Sequence, residues 1–527
     1  MVLTKFDRTL LRYAPGIGTK RIVAKAKANE LIQSGAFDST RKSNRPYSNF
    51  RSFGTSPDSR ADSLDLAFMR QQSRFLVMNS LLGGITERLT GHVIGNGLGF
   101  KAAVKAEALG LTAEEAKKKN NQLTDINNAF FTGQRGHYER TKSGGEMMGT
   151  LFKSMLEGGD SFAMPVPVKR KFFPFPFALQ LFESERINNK NRSSDNEFQQ
   201  DGILLNGNHV PVKITISNQY PDAIPTGTHS TISWQDNNIF TPGDEIRQVF
   251  QVLNFIQDRP GAKRGIPYGT PAFGKIIDLK TLTENLLSAS GIQASFAGLI
   301  KGGKSSKLAK APGAKEAKGD EFSKIDFKKG AFWDVRGFDD FELDLVESKQ
   351  TGKDFIPFMR EMYGETGAVL GMPLSIIMML FGKSFSASRG EVALFWTTVM
   401  RFRYSFVAQF LAPFQEFLYS WAVAAGLVDL PGFDSDPIAR AAWLGNPVQQ
   451  WSGPRMVSID PKKEADGFKA QIDAGIKSRS GIIRTSSEDD PDEVFNELEY
   501  ENERGLGQAI ADQTAGIMAT NQEGDEK

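Results

Sequence analysis

Cysteine is absent from all 527 residues, which excludes disulfide staples, thiolate zinc sites and thiol nucleophiles and fits folding in a reducing compartment. Histidine is nearly as scarce. His92, His137, His209 and His229 are scattered, and none stands in an H-x-x-x-H or H-E-x-x-H arrangement, so carboxylate-only sites are the metal option left. Net charge is also lacking, since 64 Lys and Arg against 62 Asp and Glu leave +2; the total argues no global pull toward DNA or an acidic membrane. Long apolar runs are missing too. The most apolar window, Tyr404 to Leu430, is broken by Gln409, Pro413, Gln415, Glu416 and Gly426 and does not supply the roughly 20 clean apolar residues of a membrane span. At the N-terminus Arg8 and Arg12 bracket the short run TLL, so a secretory signal core is lacking and a basic transit segment is the minor alternative.

What is present is a globular composition, 40% hydrophobic, in a chain long enough for two or more domains, because single cores stop growing near about 250–300 residues. Charge is segregated. Residues 1–51 carry eleven Lys and Arg against Asp7, Glu30 and Asp38, whereas Ser487 to Glu503 holds nine acids and no base.

Residues 30–60 read as an irregular arm. From Ser63 to Val93, Leu66, Met69, Phe75, Leu76, Met78, Leu82, Ile85 and Leu89 recur at helical spacing, relieved by Gly83-Gly84 and ended by GHVIGNGLGF. A further helical stretch is predicted from Thr112 to about Leu156. A β-rich block follows over 158–258, where short β-branched or aromatic runs are parted by Gly, Pro and Asn turns. Next come a helix from about Pro271 to Ile300, a basic loop, two or three short strands in KIDFKKGAFWDVRGFDDFELDLVE, and a helix from near Asp354 to Leu370. A long helix begins near Arg389, and Phe395, Phe402, Phe406, Phe410, Phe414, Phe417 and Trp421 line one face of it. That stripe reads as a core ridge rather than a base-stacking platform, which needs exposed rings among cations. Pro413 should kink this helix or start a second one.

Three strings imitate catalytic motifs. GLIKGGKS, Gly298 to Ser305, satisfies G-x-x-x-x-G-K-[ST], but a phosphate-binding loop needs a strand before it and a helix after it. Here TLTENLLSASGIQASFA upstream is helical, and the Lys-, Pro- and Gly-rich segment downstream resists a packed helix. GDSFA at 159–163 approaches G-x-S-x-G but ends in Ala163 and reads as a structural turn. The acids of SSEDDPDEVFNELEYENE read as a solvated helix face opened by Asp490-Pro491.

Four strings resemble one family, in the family's own order: RQQSRFLVMNSLLGGITERLTGHVIGNGLGF (Arg70 to Phe100), FIQDRPGAKRGIPYGTPAFGKIIDLK (Phe255 to Lys280), GMPLSIIMMLFGKSFSASRGEVALFWTTVMRFR (Gly371 to Arg403) and WSGPRMVSIDPKKEADGFKAQIDAGIKSRSGIIRTSSEDDPDEVFNELEYE (Trp451 to Glu501). They are similar to the portal proteins of tailed bacteriophages of the lambda type, with helix-to-V-x-G-x-G, R-P-G-x-x-R-G, S-x-S-x-x-R and W-x-G-P motifs, over roughly residues 10–505. Asn254 stands where the family has His, and Ala262 replaces the usual Gln.

The resemblance implies an α+β, portal-type subunit. Its N-terminal arm and α/β wing would span 1–270 and its two-helix stem 271–300 and 351–370, with a small β-containing clip at 301–350. Residues 371–450 would hold a tunnel loop, a long kinked helix and the rest of the wing, and 451–527 a helical crown and tail. It implies a ring of about twelve subunits at one capsid vertex of the virion, assembled in the host cytoplasm. That ring would be the channel for packaging and ejecting double-stranded DNA without reading its sequence, and would contact the terminase large subunit, a head–tail adaptor and the major capsid protein. Neither enzymatic activity nor a cofactor, metal or membrane is implied. Lys301, Lys304, Lys307 and Lys310 would then meet DNA phosphates or docking partners at the stem–clip passage. LFGKSFSAS, with Lys383, Ser384 and Arg389, is a tunnel loop or an ordinary helix–helix connection. The competing functions are a P-loop ATPase of a DNA-packaging motor and a basic-armed DNA-binding monomer.

Overall fold

The protein is described by a computed structural model, which covers residues 60–193, 195–220, 232–243, 246–254, 260–295, 299–302, 341–344, 352–380, 385–456, 461–486 and 491–504. The basic arm before residue 60, the strands expected within 324–340, most of the basic loop and the tail after 504 lie outside the described residues.

Two helices open the description, α1 (Arg60–Asn79) and α2 (Leu81–Val93). The chain breaks between them at Ser80, whose hydroxyl donates to the Leu76 carbonyl at 2.6 Å and accepts from the Leu82 amide at 3.3 Å. A serine N-cap therefore divides the stretch, and the pair Gly83-Gly84 sits inside α2 rather than at the break. Gly83 is needed there because a Cβ would lie 2.2 Å from the Val77 carbonyl oxygen.

After β1 (Gly99–Phe100) and α3 (Ala106–Leu109) come α4 (Ala113–Phe131) and α5 (Gly144–Gly158). The single helical stretch expected from Thr112 to Leu156 is thus two helices parted by the loop 132–143. Each has its own capping box, Thr112 with Glu115 and Ser143 with Glu146, in which side chain and backbone donors satisfy one another reciprocally. The S-x-x-E at Ser143 is the restart signal.

The β-rich block forms two antiparallel sheets. β2 (Asp160–Pro167) pairs with β3 (Phe177–Glu183) on one side and β8 (Phe250–Leu253) on the other. The second sheet runs in order β4 (Gln199–Gln200), β5 (Ile203–Leu205), β6 (Pro211–Ser217) and β7 (Trp234–Asn238). GDSFA is not a turn as expected. Gly159, at φ +89°, makes the turn, and Asp160 already begins β2. Ser161 is buried and donates to the Leu151 carbonyl at 2.8 Å, which leaves no exposed hydroxyl to act as a nucleophile.

Helix α6 (Phe273–Ser295) ends five residues before the expected Ile300, and that residue lies instead in β9 (Leu299–Gly302), paired antiparallel with β10 (Phe341–Asp344). Then follow α7 (Gly352–Leu370), α8 (Leu374–Met378) and α9 (Phe385–Phe406), the last starting one turn earlier than Arg389. A π-turn over Val407–Leu411 leads into α10 (Ala412–Ala424). Pro413 sits in the first turn of α10, where its missing N–H costs least; of the two expectations for Pro413, the start of a second helix is what occurs. The chain closes with α11 (Pro437–Leu444), α12 (Pro447–Gln450), β11 (Trp451–Ser452) beside β1, α13 (Pro461–Asp473), α14 (Arg479–Ser486) and α15 (Pro491–Glu503).

The aromatic ridge is the core. Phe402 meets Phe152 and Tyr268, Phe414 meets Phe130 at 4.9 Å and Phe250 at 5.6 Å, and Trp421 meets Phe175 at 5.0 Å. These tilted and edge-on pairs bind the ridge to α4, α5 and the three-stranded sheet, and large rings dominate such burial energetics. Among the described residues no helix is long and apolar enough to cross a membrane.

Candidate nucleic-acid interface

The residues nominated from the sequence fall in two places. Lys301 lies on β9, its backbone in register with Glu342 on β10. Arg389 is exposed in the second turn of α9. Lys304, Lys307, Lys310, Lys383 and Ser384 lie outside the described residues, so the two groups are not brought together by anything described.

The frame around them is well defined. Along α6 and α7, Lys275 pairs with Glu365. The Tyr268 hydroxyl donates to the carbonyl of Leu370, the last residue of α7, and burial pushes its phenol well above the usual range, so it stays a donor. Arg88 donates to the Ile377 carbonyl at 2.9 Å, tying α8 to α2, and Ser375 on α8 donates to Glu391 on α9. Helices α8 and α9 are therefore braced on the body of the molecule and on each other.

The topology also decides the phosphate-loop motif. A helix, α6, precedes GLIKGGKS, and residues 299–302 of the string are a strand of a two-stranded ribbon. A phosphate cradle requires the opposite order, with a buried strand feeding a helix whose N-terminal amides face the anion.

Three buried arginines, Arg70, Arg264 and Arg403, hold the junctions between these parts, and the sequence alone pointed to a role for none of them. Arg264, from R-P-G-A-K-R-G, donates through Nε to Asp160 at 2.6 Å and through Nη2 to the same carboxylate at 3.2 Å, while Nη1 reaches Asp201 at 2.8 Å. Arg70 stands 3.6 Å from Asp160, within ion-pair range though too far for a hydrogen bond, and donates to the Gly158 carbonyl at 2.9 Å. Burial pushes the Asp160 carboxyl up, but the Arg264 and Arg70 charges outweigh it and hold the group below the usual carboxylate range. The backbones interlock beside this pair: a Cβ on Gly265 would lie 1.9 Å from the Gly159 carbonyl oxygen. Asn254 shares the junction, donating to the Ile266 carbonyl at 2.8 Å.

Arg403 gathers three of the sequence strings at one point. Its guanidinium donates to the carbonyls of Val93 at 3.0 Å, His92 at 2.9 Å and Pro454 at 2.6 Å. Those acceptors end α2 and form the W-x-G-P turn, where Trp451 packs on Phe100 at 4.8 Å and a Cβ on Gly95 would strike Pro454 at 2.4 Å.

Residues 43–403 match the family model described as phage portal protein, lambda family. No curated protein matches the chain. Among solved structures the chain is similar to one from the virion of a native gene transfer agent particle, at 12% identity, covering 79% of this chain and 91% of that one, with a TM-score of 0.43. It is also similar to one from the neck of an empty particle of that kind, at 12% identity, 80% and 92% coverage and a TM-score of 0.46.

Proposed function

The chain belongs to the lambda family of phage portal proteins, and from that premise we propose that it closes into a ring, of about twelve copies, at one vertex of a capsid and passes double-stranded DNA through its centre. The family is structural rather than catalytic. On this reading the portal has no turnover of its own, is built in the host cytoplasm and stays in the virion. It would dock the terminase large subunit during packaging, the head–tail adaptor afterwards and the major capsid protein around its rim. The observation that carries the reading is the family match over 361 residues, 43–403. The helix–ribbon–helix order of α6, β9–β10 and α7 supports a stem leading into a clip, the block before it a wing, and the helices after Pro454 a crown.

Copies joined head to tail close a ring when the rotation between neighbours closes. The conduit must touch DNA without gripping it. Each phosphate contact adds about 0.9 to the salt slope of affinity, so a channel wall crowded with cations would trap its cargo. One Arg389 and one Lys383 per copy at the head of α9, and Lys301, Lys304, Lys307 and Lys310 at the passage from α6, would supply sparse contacts to phosphates with no base readout. Negative-stain imaging of the purified full chain should show annuli with an open centre, and ATP hydrolysis with or without DNA should stay at background. A chain that remains a solitary subunit under all assembly conditions, or that hydrolyses ATP unaided, sinks the proposal.

A further inference from the structure

A cationic surface lies on elements other than α6 to α9. Two stretches meet there: the loop 132–143 between α4 and α5, and the tip of the β2–β3 hairpin, residues 168–176. Together they carry Arg135, Arg140, Lys142, Lys169, Arg170 and Lys171 against one acid, Glu139. Arg170 is the rivet. Its guanidinium donates to the carbonyls of Arg135, His137 and Tyr138, and Arg135 returns a 3.4 Å contact to the Phe172 carbonyl. The hairpin tip closes on itself where the Val168 amide donates to the Pro176 carbonyl at 2.8 Å.

The tip divides its side chains at Phe172, whose left-handed backbone turns the chain over. Phe173, Phe175 and Phe177 turn into the core, while Lys169, Lys171 and Phe172 face solvent. Phe172 is 77% exposed in a left-handed backbone conformation, and the Lys171 ammonium stands 4.9 Å from its ring centre. Among the described residues none of Arg135, Arg140, Lys142, Lys169 and Lys171 is in an ion pair. Surface cations normally scatter among acids; five without a carboxylate partner on one rigid surface await an anion.

Six clustered cations around one acid suit a polyanion such as duplex DNA, whose phosphates they would neutralise. Phe175 packs on Trp421 of α10, whereas Arg389 stands at the head of α9. We infer that the loop 132–143 and the β2–β3 hairpin tip form a second DNA-binding surface, which engages phosphates of duplex DNA lying outside the ring. The outward placement rests on the ring reading; the cationic surface does not.

The test uses covalently closed circular duplex DNA, which cannot thread a closed annulus, bound to the full-length protein across a salt series. A Lys142→Gln, Lys169→Gln, Lys171→Gln triple variant should form rings of unchanged size and lose up to about 2.7 from the slope of log affinity against log salt, at about 0.9 per phosphate contact. An equal slope for both proteins overturns the inference. So does binding of poly-L-glutamate, lost in the variant, without binding of the duplex, which would make this a surface for an acidic protein. If the chain never forms rings, the ring reading fails, and the slope measured on single subunits still decides whether this patch holds DNA.

Discussion

Arg264 and Arg403 are buried almost equally, 7% and 8% exposed, yet one is paired with carboxylates and the other is held by carbonyls, the Met400 sulfur at 3.8 Å and the Trp396 ring at 5.7 Å. Arg264 lies between Asp160 and Asp201; burial pulls its pKa down, the two acids overcome that, and the net direction is upward. Arg403 has the partial negative end of α2 and the Pro454 carbonyl, and burial, with the Arg455 charge nearby, pushes it down to about 10. Carboxylates thus answer the buried guanidinium at the joint between the sheet and the start of the α6 segment, whereas the joint under α9 answers one with dipoles. A paired ion site is costly to break from either side, because the survivor is a buried unpaired charge; a dipole site loses hydrogen bonds only.

That contrast sets an order of effects. Asp160→Asn leaves two buried guanidiniums sharing Asp201 and should cost about 3–5 kcal/mol in thermal or denaturant unfolding. Its pH signature follows from the depressed carboxyl pKa. The Asp160 contribution is fully present above the ordinary aspartate value of 3.8 and is lost as pH falls through the lower folded value. The gap in melting temperature between wild type and Asp160→Asn should therefore be constant near neutrality and close only in acid below about pH 4; a gap that closes between pH 7 and 5 contradicts the assignment. Arg403→Met keeps the side-chain length and leaves carbonyls without their donor, so it should cost about 1–3 kcal/mol, less than Asp160→Asn in the same assay. If it costs more, the dipole joint is the stronger of the two. Lys275→Met removes a solvent-exposed pair with Glu365, 36% and 50% exposed, and should shift stability by at most about 1 kcal/mol.

Much of the architecture was legible because it rests on local rules. Helical spacing marked α1, α2, α6, α7 and α9, the Gly, Pro and Asn punctuation marked the β-rich block, and the stripe from Phe395 to Trp421 announced a core ridge that the structure buries. Local signals were misread where two competed. Helical spacing across 63–93 hid the N-cap at Ser80, and helical composition across 112–156 hid the capping box at Ser143. The pairing of Asp160 with Arg264, 104 positions apart, had no local signal beyond a charge in an apolar string. VKRKFF beside the core phenylalanines was readable as a cationic tip, but nothing short of the folded hairpin shows that Arg135, Arg140 and Lys142 stand next to it.

Periodicity, capping residues and motif strings act over a few turns of chain, so the order of residues alone dictated a cysteine-free, mixed helix-and-strand chain with one aromatic ridge, and its ordered strings carried the resemblance to portal proteins. Which charges neutralise one another, which glycines let two backbones touch, and which lysines are left facing water depend on segments meeting across a hundred or more residues. Those are properties of distance in space, and only the assembled fold settles them.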